Sequence, residues 1–152
     1  MNNRILLASI AAVCAVSCAP QAQVPQQDAS APPTREAIVA HGEYLVLHVA
    51  GCNDCHTPMT PQGPDMSQQL VGAELTFAPK NPQPWAAFAP ALAGLPSGYT
   101  EGQLARFLET GERTIVQTPT LPPMPPYRMN AEDAAAVAAY IASMPKPATP
   151  PT

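Results

Sequence analysis

Aromatic side chains are nearly missing from this chain: they make up 5% of it, and charged ones only 12%. A small domain buries a modest share of its surface, so a core this poor in large rings needs packing mass from another source, such as a large buried cofactor. A basic excess is missing too. The formal charge is −4, which argues against nucleic acid, whose phosphates need a basic face. No segment alternates with period two, so no strand is expected. Cysteine is limited to four residues, 14, 18, 52 and 55, too few for the disulfide framework of a small secreted scaffold.

What is abundant is proline, with 21 residues, which predicts long irregular stretches between a few helices. The N-terminus carries Arg4 and then the apolar run "ILLASIAAVCAV" at 5–16, too short to span a bilayer comfortably and in keeping with an export signal. The small residues of "AVSCAP" ahead of Cys18 resemble a bacterial lipoprotein cleavage site, although Ala15 stands where leucine is usual. The expectation is a signal peptide over 1–17, with Cys18 lipidated as the first mature residue. Ordinary cleavage a few residues later is the alternative. A Pro/Gln/Ala tether over 18–33, a folded domain over 34–145 and a short disordered tail over 146–152 complete the expected organisation.

Within the domain, Thr34 is a good N-cap with Glu36 in the first turn, and the helix it opens places Ile38, Leu45 and Val49 on one apolar stripe. Gly42 lies inside that stripe. A glycine there costs about 1 kcal/mol relative to alanine, so another helix is expected to cross close to the backbone. Residues 57–97 read as loops with one short helical turn at most. So long an irregular span is unusual unless it is functional or packed on a ligand. Thr100 and Gln103 form a capping-box pattern before "LARFLETG", with Leu104, Phe107 and Leu108 inward and Gly111 as the stop. A last helix opens at Asn130, with Val137, Tyr140, Ile141 and Met144 as its apolar stripe. The fold class is all-α, three to four helices with long loops.

The segment "HVAGCNDCHTPMT" at 48–60 carries the chemistry. A redox dithiol of the thioredoxin kind sits where a strand meets a helix, and no strand flanks this pair. Structural zinc needs four ligands, usually with a second close pair, and only His41 and His48 remain as donors. C-x-x-C-H is also the c-type haem attachment sequence. Cys52 and Cys55 are three positions apart and can add across the two vinyl groups of one haem. His56, adjacent, is then directed at the iron as its proximal ligand. Attachment of this kind takes place outside the cytoplasm, in agreement with an export signal.

For the opposite side of the iron methionine is the first suspect. Met59 and Met66 follow the motif too closely, Met144 belongs to the last helix's stripe, and Met129 precedes the N-cap of that helix. Met124, in "LPPMPPY", is held between two pairs of prolines that stiffen the backbone and present its sulfur at a fixed place. It is therefore the expected distal ligand, with loop packing as the bland alternative. Trp85 and Tyr127 are candidates for lining the haem face or bonding a propionate, and Arg113 or Arg128 for pairing with one. Ordinary packing serves the two aromatic residues equally well, and most arginines are simply solvated.

On these residues the chain resembles a class I c-type cytochrome from about Glu36 to Pro145. The stretches "GEYLV…AGCNDCHTP", "LARFLETGER" and "PPMPPY…AEDAAAVAAYIASMP" are similar to small cytochromes, or cytochrome domains, that serve bacterial respiratory dehydrogenases and oxidases. The resemblance implies the cytochrome c fold around one covalent haem c, with the first and last helices crossing at Gly42 and Tyr140. With histidine and methionine on the iron there is no open position for a substrate. The implied function is one-electron transfer between redox protein partners, a donor and an acceptor, as a carrier or an electron-transfer subunit. No enzyme activity and no small-molecule substrate are expected. Partners include the membrane, through the lipid on Cys18, and the location is the periplasmic or cell-surface side. If Met124 is not a ligand, a five-coordinate haem sensor or peroxidase-like enzyme is the alternative. If no haem is attached, a metal-binding module remains.

Overall fold

A computed structural model describes residues 31–115 and 118–148. The expected signal peptide, Cys18 and all but the end of the tether lie outside the described residues, as does most of the expected tail. The fold is all-α with long loops, built on helices α1 (Arg35–Tyr44), α2 (Cys52–His56), α3 (Glu101–Thr110) and α4 (Ala131–Ser143). Among the described residues no helix is long and apolar enough to cross a membrane.

Local sequence explains where the three longer helices begin. Thr34 Oγ1 accepts from the Ala37 N–H at 3.3 Å, and Asn130 Oδ1 from the Asp133 N–H at 2.8 Å. Thr100 and Gln103 form the full capping box, each side chain meeting the other's backbone N–H, so two orphan donors are satisfied at once. α3 stops at Gly111, whose φ of 77° suits glycine and lets its N–H reach the Phe107 carbonyl at 2.8 Å.

α4 is the centre of the core. Seven of its residues are buried, and four of them are alanines, which lets α1 and α3 approach its backbone. α1 crosses it at Gly42, where an added Cβ would stand 1.9 Å from the Ala136 carbonyl oxygen and 2.9 Å from Tyr140 Cβ. The expected crossing is therefore present. Two polar pairs brace the helices from outside. Arg35 meets Glu101 of α3 with two bonds of 2.6 and 2.8 Å, and His41 Nε2 lies 2.8 Å from Asp133 of α4.

The stripe expected on α1 needs one correction. Val49 is 61% exposed, whereas Val46 is fully buried beside Leu45. The cause is a π-helical turn, Leu45–Val49, closed by the Ala50 N–H on the Leu45 carbonyl at 2.7 Å. The extra residue in that turn breaks the 3.6 period, so inward positions no longer fall where the first half of the helix places them. Gly51, with φ 65°, then reverses the chain into α2.

Residues 57–100 hold little regular structure. Contrary to the expectation of no strands, there are two antiparallel pairs: β1 (Met59–Thr60) with β2 (Gly63–Pro64), and β3 (Ala73–Glu74) with β4 (Phe88–Ala89). Each strand has two residues, too few for an alternating pattern to register. One 3-10 turn, Met66–Gln68, is the single helical turn of this stretch. The segment is pinned at Leu70, which is fully buried. Its N–H donates to Thr57 Oγ1 at 2.9 Å, and its carbonyl accepts from the N–H groups of Leu92 and Ala93 at 2.9 and 3.0 Å. Leu70 has φ 56°, a left-handed conformation that a branched side chain adopts only when its surroundings enforce it.

Candidate functional site

α2 carries both cysteines and the histidine of the motif on a single turn. Spacings of three and four residues share a helix face, so Cys52, Cys55 and His56 all line one cavity of about 620 Å³. The intervening Asn53 turns the other way. Its Oδ1 accepts from Thr57 Oγ1 at 2.5 Å and its Nδ2 approaches Met66 Sδ at 3.4 Å. With the bond from Leu70 to Thr57 this forms a buried polar chain that mounts α2 on the loop behind it. The Gly72 N–H adds a bond to the His56 carbonyl at 2.8 Å.

His56 is buried, and its ring Nδ1 lies 2.7 Å from the Pro90 carbonyl oxygen. A carbonyl can only accept, so Nδ1 carries the proton and Nε2 of the neutral ring keeps its lone pair. Burial lowers the pKa of His56, with the Pro90 bond working in the opposite sense. The neutral, ligating form is thereby favoured. Cys52 and Cys55 are free thiols. Burial, the largest cause, pushes the Cys52 thiol up to about 11 and raises that of Cys55 in the same direction. Both are held as thiols rather than as thiolates.

The proline-rich segment after α3 contributes one wall of the cavity, and Met124 lines it. The other methionines among the described residues stay away from it. Met59 and Met66 are 52% and 53% exposed, whereas Met129 and Met144 pack against the core cluster. The remaining walls are mainly apolar: Leu75 and Phe88 from the middle loop, Leu104, Phe107 and Leu108 from α3, Val137 and Ile141 from α4. Such a volume, with an apolar lining and a few convergent polar atoms, suits a large apolar cofactor. Two thiols, one imidazole nitrogen with a free lone pair and one thioether form a donor set that fits haem. Among the described residues no three His, Cys, Asp or Glu side chains converge into a group that could hold a bare metal ion.

The secondary candidates divide. Arg113 lines the cavity and donates to the Thr118 carbonyl at 3.2 Å. Tyr127 lines it too, but its hydroxyl donates to the Ala50 carbonyl, so that proton is not free for a propionate. Trp85 is not part of the lining. Its Nε1 donates to the Phe77 carbonyl at 3.2 Å, and its ring meets that of Phe77 edge-on. Arg128 is likewise absent from the lining and donates to the Tyr127 carbonyl at 2.6 Å. The Pro90 carbonyl went unseen in the sequence. A backbone acceptor belongs to every residue and leaves no signature, and its place depends on where β4 pairs.

The family model described as Cytochrome c matches residues 39–145. No curated protein matches the chain.

Proposed function

The chain belongs to the cytochrome c family, whose domains bind covalent c-type haem and carry electrons, and from that premise we propose a one-electron carrier with histidine and methionine on the iron. Cys52 and Cys55 would hold the haem through thioethers, with His56 and Met124 as the iron ligands. When bound, the haem supplies a reversible ferric/ferrous couple.

The chain's own residues tune and protect that couple. The Pro90 carbonyl fixes the His56 tautomer, orients the ring and raises its basicity as a ligand. The soft thioether of Met124 favours ferrous iron and raises the potential relative to a second histidine. The apolar walls exclude water and keep the site poorly screened, which disfavours the extra charge of the oxidised state. Arg113, with no carboxylate at ion-pair distance among the described residues, is the cation best placed to meet a propionate.

The finer role is an electron-transfer step in a bacterial respiratory or dehydrogenase chain, outside the cytoplasm and tethered by a lipid on Cys18. Without Arg4 the chain has six cationic against eleven anionic side chains. Encounters with redox partners are expected to be weak and transient. The observation that carries the reading is the meeting of Cys52, Cys55, His56 and Met124 around one apolar cavity.

Absorption spectra of protein matured with haem, oxidised and reduced, with and without carbon monoxide, test it. A low-spin reduced spectrum, a sulfur-to-iron charge-transfer band when oxidised and no response to carbon monoxide are expected. A ready response to carbon monoxide would move the five-coordinate sensor or peroxidase-like alternative ahead. A colourless protein would remove the haem reading altogether.

A further inference from the structure

The segment that presents Met124 is poorly equipped to hold itself in place. Five of the eight residues in 119–126 are proline and have no N–H to donate. The Met124 N–H bonds only within the segment, to the Leu121 carbonyl at 3.2 Å. Among the described residues, three attachments tie 118–127 to other parts of the fold. Arg113 holds the Thr118 end, the Ala86 N–H donates to the Pro122 carbonyl at 2.8 Å, and the Tyr127 hydroxyl donates to the Ala50 carbonyl. Only the last runs to the side of the cavity that carries the cysteines. Ala50 itself is fixed by the π-turn and stands two residues before Cys52.

We infer that Tyr127 is a positioning residue, a clasp whose hydroxyl joins the segment bearing Met124 to the segment bearing Cys52 and so keeps the thioether from leaving the iron. The inference rests on the proposed ligation by Met124. The Tyr127 ring is half-buried and lines the cavity, so its replacement by phenylalanine keeps the wall and removes the bond. A clasp of this kind acts on the equilibrium between closed and open segment, and exogenous ligands report the open fraction.

The test compares wild-type holoprotein with Tyr127→Phe and with Tyr140→Phe. The latter removes a hydroxyl that accepts from Gln69 Nε2 at 2.9 Å, in the core and away from the segment. Imidazole binding to the ferric protein is titrated, following the sulfur-to-iron band. The expected result is about a threefold to tenfold rise in imidazole affinity for Tyr127→Phe, the span of one net hydrogen bond, with no rise for Tyr140→Phe. Equal affinity in Tyr127→Phe and wild type, or an equal rise in both variants, overturns the clasp while leaving Met124 as a ligand. A wild type without the sulfur-to-iron band removes the Met124 reading and the clasp together. Should Tyr127→Phe yield no holoprotein, the ferrous wild type decides by proton NMR. A slowly exchanging Tyr127 hydroxyl proton near Ala50 supports the clasp, and its absence overturns it.

Discussion

A Cβ placed on Gly42 would stand 1.9 Å from the carbonyl oxygen of Ala136, so α1 and α4 touch backbone to backbone where they cross. Gly42→Ala must push the helices apart, and the neighbour is backbone that cannot rotate aside. A loss of stability at or beyond the upper end of the about 1–3 kcal/mol usual for overpacking is expected, read by chemical denaturation of the holoprotein. Gly102, in α3, has nothing within 4 Å of its added Cβ. The same substitution there should raise stability by about 0.4–1 kcal/mol through the unfolded chain and helix propensity. Opposite signs for one chemical change would identify the crossing as the cause.

Thr57 supports α2 from behind. Its hydroxyl donates to Asn53 and accepts from the Leu70 N–H, and the residue is 1% exposed. Thr57→Val keeps the shape and leaves a buried N–H and a buried amide oxygen without partners, so a loss of about 1–3 kcal/mol is expected. Thr57→Ser, which retains the hydroxyl, should recover most of it. Denaturation midpoints of the two holoproteins check this, and a loss in Thr57→Ser without one in Thr57→Val would point to the methyl instead.

What was legible in the sequence was local. The caps at Thr34, Thr100 and Asn130, the stop at Gly111 and the haem-attachment motif each depend on residues within four positions of one another. Gly42 announced a close approach because glycine inside a helix is otherwise unfavourable, and the proline pairs around Met124 marked an unusual presentation. What escaped depended on distant partners or on a shifted period. Val49 was expected inward, and Val46 took that place because one π-turn adds a residue. The left-handed Leu70, the Pro90 carbonyl at His56 and the reach of Tyr127 to Ala50, 77 positions away, depend on how residues 57–100 and 118–130 lie across the helices. Proline-rich segments carry no periodicity from which that course can be read.

The Arg35–Glu101 pair predicts a dependence on acid and salt. The guanidinium hydrogen bonds hold the Glu101 carboxyl below its ordinary range, with Coulomb attraction adding to them and burial opposing. A depressed carboxylate stabilises the fold fully above its unfolded value of about 4.3, and that contribution is lost as pH falls through the folded value. Glu101→Gln should therefore be slightly less stable than wild type at neutral pH, with the gap closing in acid. The side chains are 52% and 37% exposed, so the gap should also shrink in high salt. Thermal midpoints across pH and salt check both trends.

Two substitutions at Met124 separate a ligand from a packing residue. Met124→Ala removes the sulfur and opens the cavity wall. The sulfur-to-iron band should disappear and carbon monoxide should bind readily to the ferrous protein. Alone, that result could follow from a loosened wall that admits the gas. Met124→His restores a ligand without restoring the thioether. The site should then close again to carbon monoxide while the potential falls by on the order of tenths of a volt, within the roughly 0.8 V that axial ligation spans. A packing role for Met124 predicts a different pair: the sulfur band would survive in both variants, carried by another methionine, and the potential would barely move. Among the described residues the other methionines are either exposed or packed in the core, so such survival would require the loop bearing Met59 and Met66 to leave the position that Asn53 and Thr57 hold. Adding Thr57→Val to Met124→Ala would free that loop and so strengthen the surviving band, whereas with Met124 as the ligand no band remains to strengthen.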